Sequence, residues 1–411
     1  MIVQSKKYLV IRELGFKKVA LAPFALFFIL TLLGINKFRT VRIHLLVNSR
    51  IGHFVTNTEL SRLSSLKRNH DSHKKSLDLY CFQHRTSTNH FLEILWRRTL
   101  TCLTGDWGSI FYFLATRTVP KLVKKSDFDN RNGKLYKYPI ALEFSPAELS
   151  EGKKFLRNLG IHEKDKFVCI NVRDSSFLQK SQPLGWSKSK DWSYHDYRDS
   201  RIANYVAASE KLAELGYTVF RMGAIVSEPL LSEHSRVFDY ATNGMRTEFL
   251  DVFLGAHCEF CISTGSGWDE IPGYFHRPRM YVNIIPFLTY QLLDRDLILY
   301  PKILLNAKND HHLTLKEIIK TEVHQSYRSV EFVERGASIR DMSSEEIVEA
   351  VTEMAARVEG RFIPTEQQKS MQKKLRHELM NNPKVQPSPG FYPIRAEYAS
   401  CFLSNYPNFL D

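Results

Sequence analysis

The sequence predicts an α/β fold built on parallel sheets, and three features carry that prediction. The run Phe167-Val-Cys-Ile-Asn-Val172 is apolar except for Asn171, then switches abruptly to Arg173-Asp174-Ser-Ser176. Strands buried on both faces read this way, and open α/β sheets receive ligands at the carboxyl ends of such strands. A second apolar run, Cys258-Glu-Phe-Cys-Ile-Ser263, enters Thr264-Gly265-Ser266-Gly267 and then a helical pattern. The third feature is the alternation of strand, loop and helix along the whole chain.

Length and charge bound the organisation. The chain has 411 residues, enough for two domains, and 43% hydrophobic content argues for packed cores. Net charge is +13, with +8 in residues 1–50 (nine Lys/Arg, one acid) and +7 in residues 51–125 (twelve against five), leaving −2 for the remainder. Such a basic front end suits an anionic partner. Nucleic acid is disfavoured, because no finger, helix-turn-helix or RNA-binding aromatic motif is present. Val19–Ile35 carries no charge and lies between Lys17-Lys18 and Lys37/Arg39. It is short for a span and lacks a cleavage signal, so the expectation is a helix lying in an anionic membrane interface, with a buried core helix as the other reading. The six cysteines sit mostly in apolar runs, as small hydrophobes in a reducing compartment do.

The elements follow in order. Val41–Val47 reads as the first strand; the loop Asn48-Ser-Arg-Ile-Gly52-His53 follows, then a helix from Thr56. Leu77–Phe82 reads as a strand and His90–Leu100 as a helix. Lys121–Tyr138 reads as a linker. Ser145-Pro-Ala-Glu148 is a helix start with a capping box. After the strand at Phe167, Leu178–Tyr197 reads as a loop over the site. Asp199 or Ser200 starts a helix over Ile202–Leu215 that stops at Gly216. Tyr217–Met222 is a strand, Thr247 starts a helix to Ala256, the Cys258 strand follows, and Arg279–Ile284 is another strand. Ser343 or Ser344 caps a helix to about Val358. The last residues, Tyr398–Leu410, are aromatic enough to dock on a surface.

Two segments suggest a phosphate-binding edge. Arg173 at a strand end can hold two oxygens with its planar fork, and Asp174 follows it. The Thr264–Gly267 turn offers backbone amides and two hydroxyls at a helix start. It is neither G-x-G-x-x-G nor a Walker loop nor a nucleophile elbow. Arg221 closes the next strand and could reach the same place. Asp127-Phe-Asp129, Asp294-Arg-Asp296 and Asp310-His311-His312 read as solvated polar segments, and His257-Cys258-x-x-Cys261 lacks a second pair of ligands. No metal site and no cofactor is expected.

The segments Arg50-Ile-Gly-His53 with Asn57-Thr-Glu59, Asn171–Ser176, Tyr197-Arg-Asp-Ser200, Leu215–Gly223, Asp239-Tyr-Ala241, Phe249–Leu254 and Asn405-Tyr-Pro-Asn-Phe-Leu410, in that order, resemble a family of bacterial surface-polysaccharide (O-antigen and capsule) proteins assigned as glycosyltransferases. The resemblance covers nearly the whole chain after about residue 40. A more distant likeness is to fucosyltransferases whose donor strand ends in His-x-Arg-x-x-Asp. Here Asn171 replaces the His, and Asp174 follows the Arg directly, so the Arg role carries over and the GDP-fucose donor does not.

The resemblance implies a GT-B-like architecture, two Rossmann-like domains facing each other across a cleft. The expected organisation is a basic, apolar membrane-associating segment over 1–39, an acceptor-side domain over 40–138, a nucleotide-sugar domain over 139–380, and a tail over 381–411 that docks back on the N-terminal domain. It further implies a nucleotide-sugar donor, a lipid-linked saccharide acceptor and a place at the cytoplasmic face of the inner membrane. Arg173, Asp174, Arg221, Thr264, Gly265, Ser266 and Gly267 would bind donor. His53 would be the general base, with Glu59 in reserve. Two other readings stay open: a nucleotide-sugar epimerase, and a non-catalytic membrane-surface scaffold with a degenerate nucleotide site.

Overall fold

The computed structural model describes residues 20–72, 76–124, 134–180, 191–285, 298–385 and 396–411. The chain divides into two compact units, which part near residue 145.

In the first unit the order is α1 (20–35), β1 (Thr40–Leu46), α2 (Ile51–Ser72), β2 (Ser76–Phe82), α3 (His90–Thr99), β3 (Cys102–Leu103), α4 (Gly105–Thr118), β4 (Val123–Lys124) and α5 (Lys134–Lys137). The strands form one parallel sheet in the order β3-β2-β1-β4. Thus β4 lies inside the segment read as a linker. Helix α2 begins five residues earlier than expected, its Phe54 N–H donating to the Arg50 carbonyl at 2.9 Å. Burial explains this: Phe54 packs edge-on against Phe82 of β2, so the chain winds up as soon as it leaves β1. Helix α3 starts where the Asn89 side chain accepts the Leu92 N–H at 2.8 Å.

Helix α1 covers most of the apolar run Val19–Ile35. Ala25, Ile29 and Leu32, spaced four and three residues apart, enter the core of the first unit beside Ile43, Ile110, Phe111 and Ala115. Among the described residues, no helix is long and apolar enough to cross a membrane. One face of the helix is core, as the second reading has it, and the other faces outward.

The second unit continues with β5 (Phe167–Asn171), β6 (Thr218–Met222), β7 (Val237–Phe238), β8 (Cys261–Ser263), β9 (Arg279–Ile284), β10 (Ile298–Pro301), β11 (Ile303–Asn306), β12 (Ala337–Arg340) and β13 (Glu397–Tyr398). Its helices are α6 (Pro146–Asn158), α7 (Ser176–Lys180), α8 (Val206–Glu214), α9 (Glu248–His257), α10 (Glu270–Tyr274), α11 (Leu315–Lys320), α12 (Ser329–Glu334), α13 (Ser344–Val358), α14 (Glu366–Asn381) and α15 (Ser400–Asn405). The main sheet is parallel throughout, in the order β13-β10-β9-β8-β5-β6-β7, while β11 and β12 pair separately as an antiparallel ribbon. Every residue of β5, β6, β8 and β9 is buried, as expected for strands covered on both faces.

Local chemistry sets the boundaries. Ser145 and Glu148 form the expected capping box, Thr247 caps α9, and Ser343 with Glu346 caps α13. Gly216, at φ +96°, takes the left-handed conformation that ends α8. Neither Asp199 nor Ser200 caps a helix; a 3-10 turn over Ile202–Tyr205 leads into α8. Cys258 belongs to the end of α9 and not to a strand, because its N–H still donates to the Leu254 carbonyl.

The C-terminal tail belongs to the second unit: Tyr398, Phe402, Leu403, Phe409 and Leu410 are buried in its core. The reason is an edge: β10 presents backbone groups that β13 pairs in parallel. The Glu353 carboxylate of α13 then accepts the Ser400 and Cys401 N–H groups at 3.0 Å each.

Candidate functional site

Strand order locates the site. From β5 the chain steps outward through β6 and β7, then returns to the other side of β5 as β8 and steps outward through β9 and β10. The direction reverses between β5 and β8, and the crevice beyond the carboxyl ends of such a pair is where doubly wound sheets bind ligands. The two segments singled out in the sequence leave these two strands: Arg173 follows β5, and Thr264–Gly267 follows β8.

The segments interlock. The Arg173 N–H donates to Thr264 Oγ1 at 2.8 Å, and the Thr264 N–H to the Asn171 carbonyl at 3.2 Å. Ser266 Oγ donates to Asn171 Oδ1. The 3-10 helix Ser193–Arg198 lies alongside, so Arg198 Nη2 reaches the Gly265 carbonyl at 2.6 Å and Asp199 Oδ1 meets Arg173 Nε at 3.0 Å. Buried Lys302 ties this segment down, donating from Nζ to the Asp199 carbonyl and to Asp341 Oδ1. A cavity of about 200 Å³ opens beside it, walled by Asp174, Asp199, Arg201, Arg221, Ser227 and Glu228.

Burial shapes the electrostatics. Asp199 is pushed up to about 6, because desolvation outweighs the neighbouring Arg173 charge. Asp269, buried under the glycine turn, is pushed up to about 7 by desolvation and by the neighbouring Glu270 charge, which outweigh Arg279. Its Oδ2 accepts Ser263 Oγ at 2.6 Å and the Ser266 N–H at 2.9 Å. Gly265, at φ +81°, donates its N–H to Ser263 Oγ at 3.0 Å.

Several expected roles shift accordingly. The amides of Thr264, Gly265 and Ser266 are bonded within the protein, so the turn is not an open cradle; Gly267 is the exposed member. Asp174 closes its own loop, accepting the Ser176 and Ser227 N–H groups at 2.8 and 2.9 Å. Arg221 is 1% exposed, and its Nη1 pairs with Asp239 Oδ1 at 3.1 Å. Its Nε is buried without a hydrogen-bond partner, and the residue contributes to the cavity wall. Arg173 leaves the end of β5 paired with Asp199, Arg198 is bonded to the Gly265 carbonyl, and Arg201 lines the cavity. The sequence reading gives Arg198 no role beyond the matching segment Tyr197–Ser200, takes Asp199 as a helix start, and does not single out Asp269. The spacing Ser266-x-x-Asp269 was its available signal, a carboxylate three residues after the amide it binds.

In the first unit, His53 lies in the first turn of α2 and not in a loop. Its Nδ1 accepts from Asn57 Nδ2 at 2.8 Å, which leaves the proton of the neutral ring on Nε2. Glu59 is buried and held by Arg62 in a bidentate pair at 2.6 and 2.7 Å, which removes it as a reserve base. A network the sequence reading did not foresee lies on β1 and β2. Arg42 Nε and Nη2 grip Asp78 at 2.7 and 2.9 Å, and His44 Nε2 meets Asp78 Oδ1 at 2.8 Å. Despite burial, these partners hold the Asp78 carboxyl far below its ordinary range, while burial lowers His44 and keeps it neutral.

Asp127, Asp129, Asp294 and Asp296 lie outside the described residues. Asp310-His311-His312 follows the turn at 307–309, with His311 Nδ1 on Asn309 at 2.6 Å and His312 bridged antiparallel to Leu305. The six cysteines are free thiols, and among the described residues no group of three or more His, Cys, Asp or Glu could hold a metal ion.

Fold and edge together define a parallel α/β protein with a crevice at a strand-order reversal. No protein-family model and no curated protein matches the chain. Among solved structures it is similar to the Escherichia coli ADP-heptose lipopolysaccharide heptosyltransferase II, at 11% identity over 60% of this chain and 86% of that one, with a TM-score of 0.37. It is also similar to a glycosyl transferase family 9 protein of Veillonella parvula, at 12% identity over 54% and 61% and a TM-score of 0.27. A third is the iron-containing dodecameric glycosyltransferase TibC of enterotoxigenic E. coli, at 13% identity over 60% and 61% and a TM-score of 0.33. Likeness at this distance transfers neither residues nor substrate.

Proposed function

We propose that the chain is a glycosyltransferase that takes a sugar from a nucleotide-diphosphate donor held at the β5–β8 crevice of the second unit. The observation that carries this reading is the convergence of Arg173, Arg198 and the Thr264–Gly267 turn at the reversal point of a parallel sheet. Sugar transfer from such a donor releases a diphosphate, whose growing charge needs preorganised cations. Arg173 supplies a two-pronged donor for it, with Arg198 and Arg201 adding positive potential. The acceptor, in this reading, is a lipid-linked saccharide of surface-polysaccharide synthesis, met by the first unit at the cytoplasmic face of the inner membrane. His53 is the base there; its Nε2 takes the acceptor proton once the Asn57 amide turns so that its Oδ1 accepts from Nδ1–H, in place of the Nδ2–Nδ1 contact.

One observation favours the rival reading of a non-catalytic scaffold: the turn amides are satisfied internally, and Asp199 already neutralises Arg173. Incubation with radiolabelled nucleotide sugars and a lipid-linked acceptor separates the readings. Labelled sugar on lipid supports the transferase, an isomerised donor the epimerase. Tight nucleotide binding without turnover, or no binding at all, leaves the scaffold.

A further inference from the structure

We infer that the outward face of α1 is a membrane-docking surface that inserts shallowly into an anionic lipid interface. A helix on the surface of a water-soluble unit ordinarily pairs its buried apolar stripe with a polar outer face. This one does not. Opposite Ala25, Ile29 and Leu32 it turns Phe24, Phe27 and Leu30 outward, at 67%, 73% and 65% exposure, and Leu26 and Leu33 are exposed as well. Thr31, the one polar side chain between residues 20 and 35, bonds back to the Phe27 carbonyl at 3.1 Å and so offers water little. Past the helix end, Phe38 is 92% exposed between the exposed Lys37 and Arg39.

Apolar surface left open in this way marks an interaction site, and charge selects the occupant. Aromatic and leucine side chains on a helix lying flat, with lysine and arginine at its end, match the boundary between lipid headgroups and acyl chains. The excess of +8 over residues 1–50 adds attraction to anionic headgroups. A second copy of the chain would bring the same positive charge to the contact and is disfavoured. Because Ala25, Ile29 and Leu32 anchor the helix to the core, it can bind as a rigid plate attached to the first unit, without crossing the bilayer. This surface binds lipid whether or not the second unit transfers a sugar.

The test is flotation of the full chain with vesicles of phosphatidylcholine alone or mixed with phosphatidylglycerol, for the native chain and for Phe27→Glu and Leu30→Glu. These side chains are exposed, so both variants should fold, which circular dichroism checks. The expected result is binding to the anionic vesicles, weakened by salt and reduced on the order of tenfold or more in each variant, the worth of one large apolar side chain. Nucleoside-diphosphate binding measured on the same preparations should be unchanged, so failure of this surface and failure of the donor site are told apart. Variants that float like the native chain overturn the inference. So does a native chain that ignores both vesicle types, including one that forms a dimer in solution which Phe27→Glu makes monomeric.

Discussion

Arg173 and Asp199 form an ion pair of 3.0 Å, Nε to Oδ1, across the mouth of the β5–β8 crevice. If the crevice binds a nucleoside diphosphate as proposed, this acid is the group that the incoming anion must displace from Arg173. Asp199→Asn should therefore tighten nucleoside-diphosphate binding by roughly three- to tenfold, the worth of one partly screened charge competition. Titration calorimetry at neutral pH measures it, and weaker binding by the variant would show that Asp199 helps to hold the ligand instead.

Arg173→Ala should cost about 10- to 100-fold in affinity for the same ligand, since a charge-assisted hydrogen bond contributes about 1.5–3 kcal/mol. Arg221→Ala should act differently. Its pairing with Asp239 makes it a structural group, so the expected outcome is a lowered melting temperature before any loss of binding.

The two units should respond to pH in opposite senses. In the second, burial raises Asp199 and Asp251 to about 6 and Asp269 to about 7. The folded state then binds protons that the unfolded state releases. The resulting stability is fully present below the unfolded carboxylate value and is lost as pH rises through 6 to 7. Calorimetry should show the transition of the second unit falling between mildly acid and alkaline pH, and Asp269→Asn should flatten that slope.

Asp78 reverses the sign. Its folded value is depressed, so its contribution is present above the unfolded carboxylate value and is lost as pH falls below it. His44, held neutral, adds destabilisation on the acid side, because the unfolded state gains a proton there more readily. Asp78→Ala would strand Arg42 in a buried site, and a loss of about 3–5 kcal/mol is expected. Denaturant titration of the variant checks this; a change under about 1 kcal/mol would mean that Asn69, also bonded to Arg42, compensates.

Phe402→Ala should destabilise the second unit by about 3–5 kcal/mol, the usual cost of emptying a buried aromatic site. Phe402 packs edge-on to Tyr300 at 4.9 Å and faces Phe409 at 5.0 Å. Urea unfolding with nucleotide binding as a second readout distinguishes this from a tail that is dispensable.

Local patterns were legible before any coordinates. Ser145 with Glu148, Asn89, Thr247 and Ser343 announce helix starts because the cap bonds join residues three apart. The strands at Phe167 and Arg279 are legible because both faces are buried and the runs are short and apolar. Arg173 and the Thr264–Gly267 turn could be picked out because a polarity switch after such a run is itself a local signal. What no local signal could supply is partnership at long range. Glu59 and Arg62 are near neighbours, yet only burial on α2 decides that the acid spends both oxygens on that Arg. Arg221 and Asp239 become a pair because β6 and the loop after β7 are brought together. The Thr264 amide is closed by the Asn171 carbonyl because β5 and β8 lie side by side. The tail joins the second unit because β10 has an open edge, which depends on strand order. Chemistry carried by a few successive residues is written in the chain, whereas who neutralises whom depends on which segments the fold packs side by side.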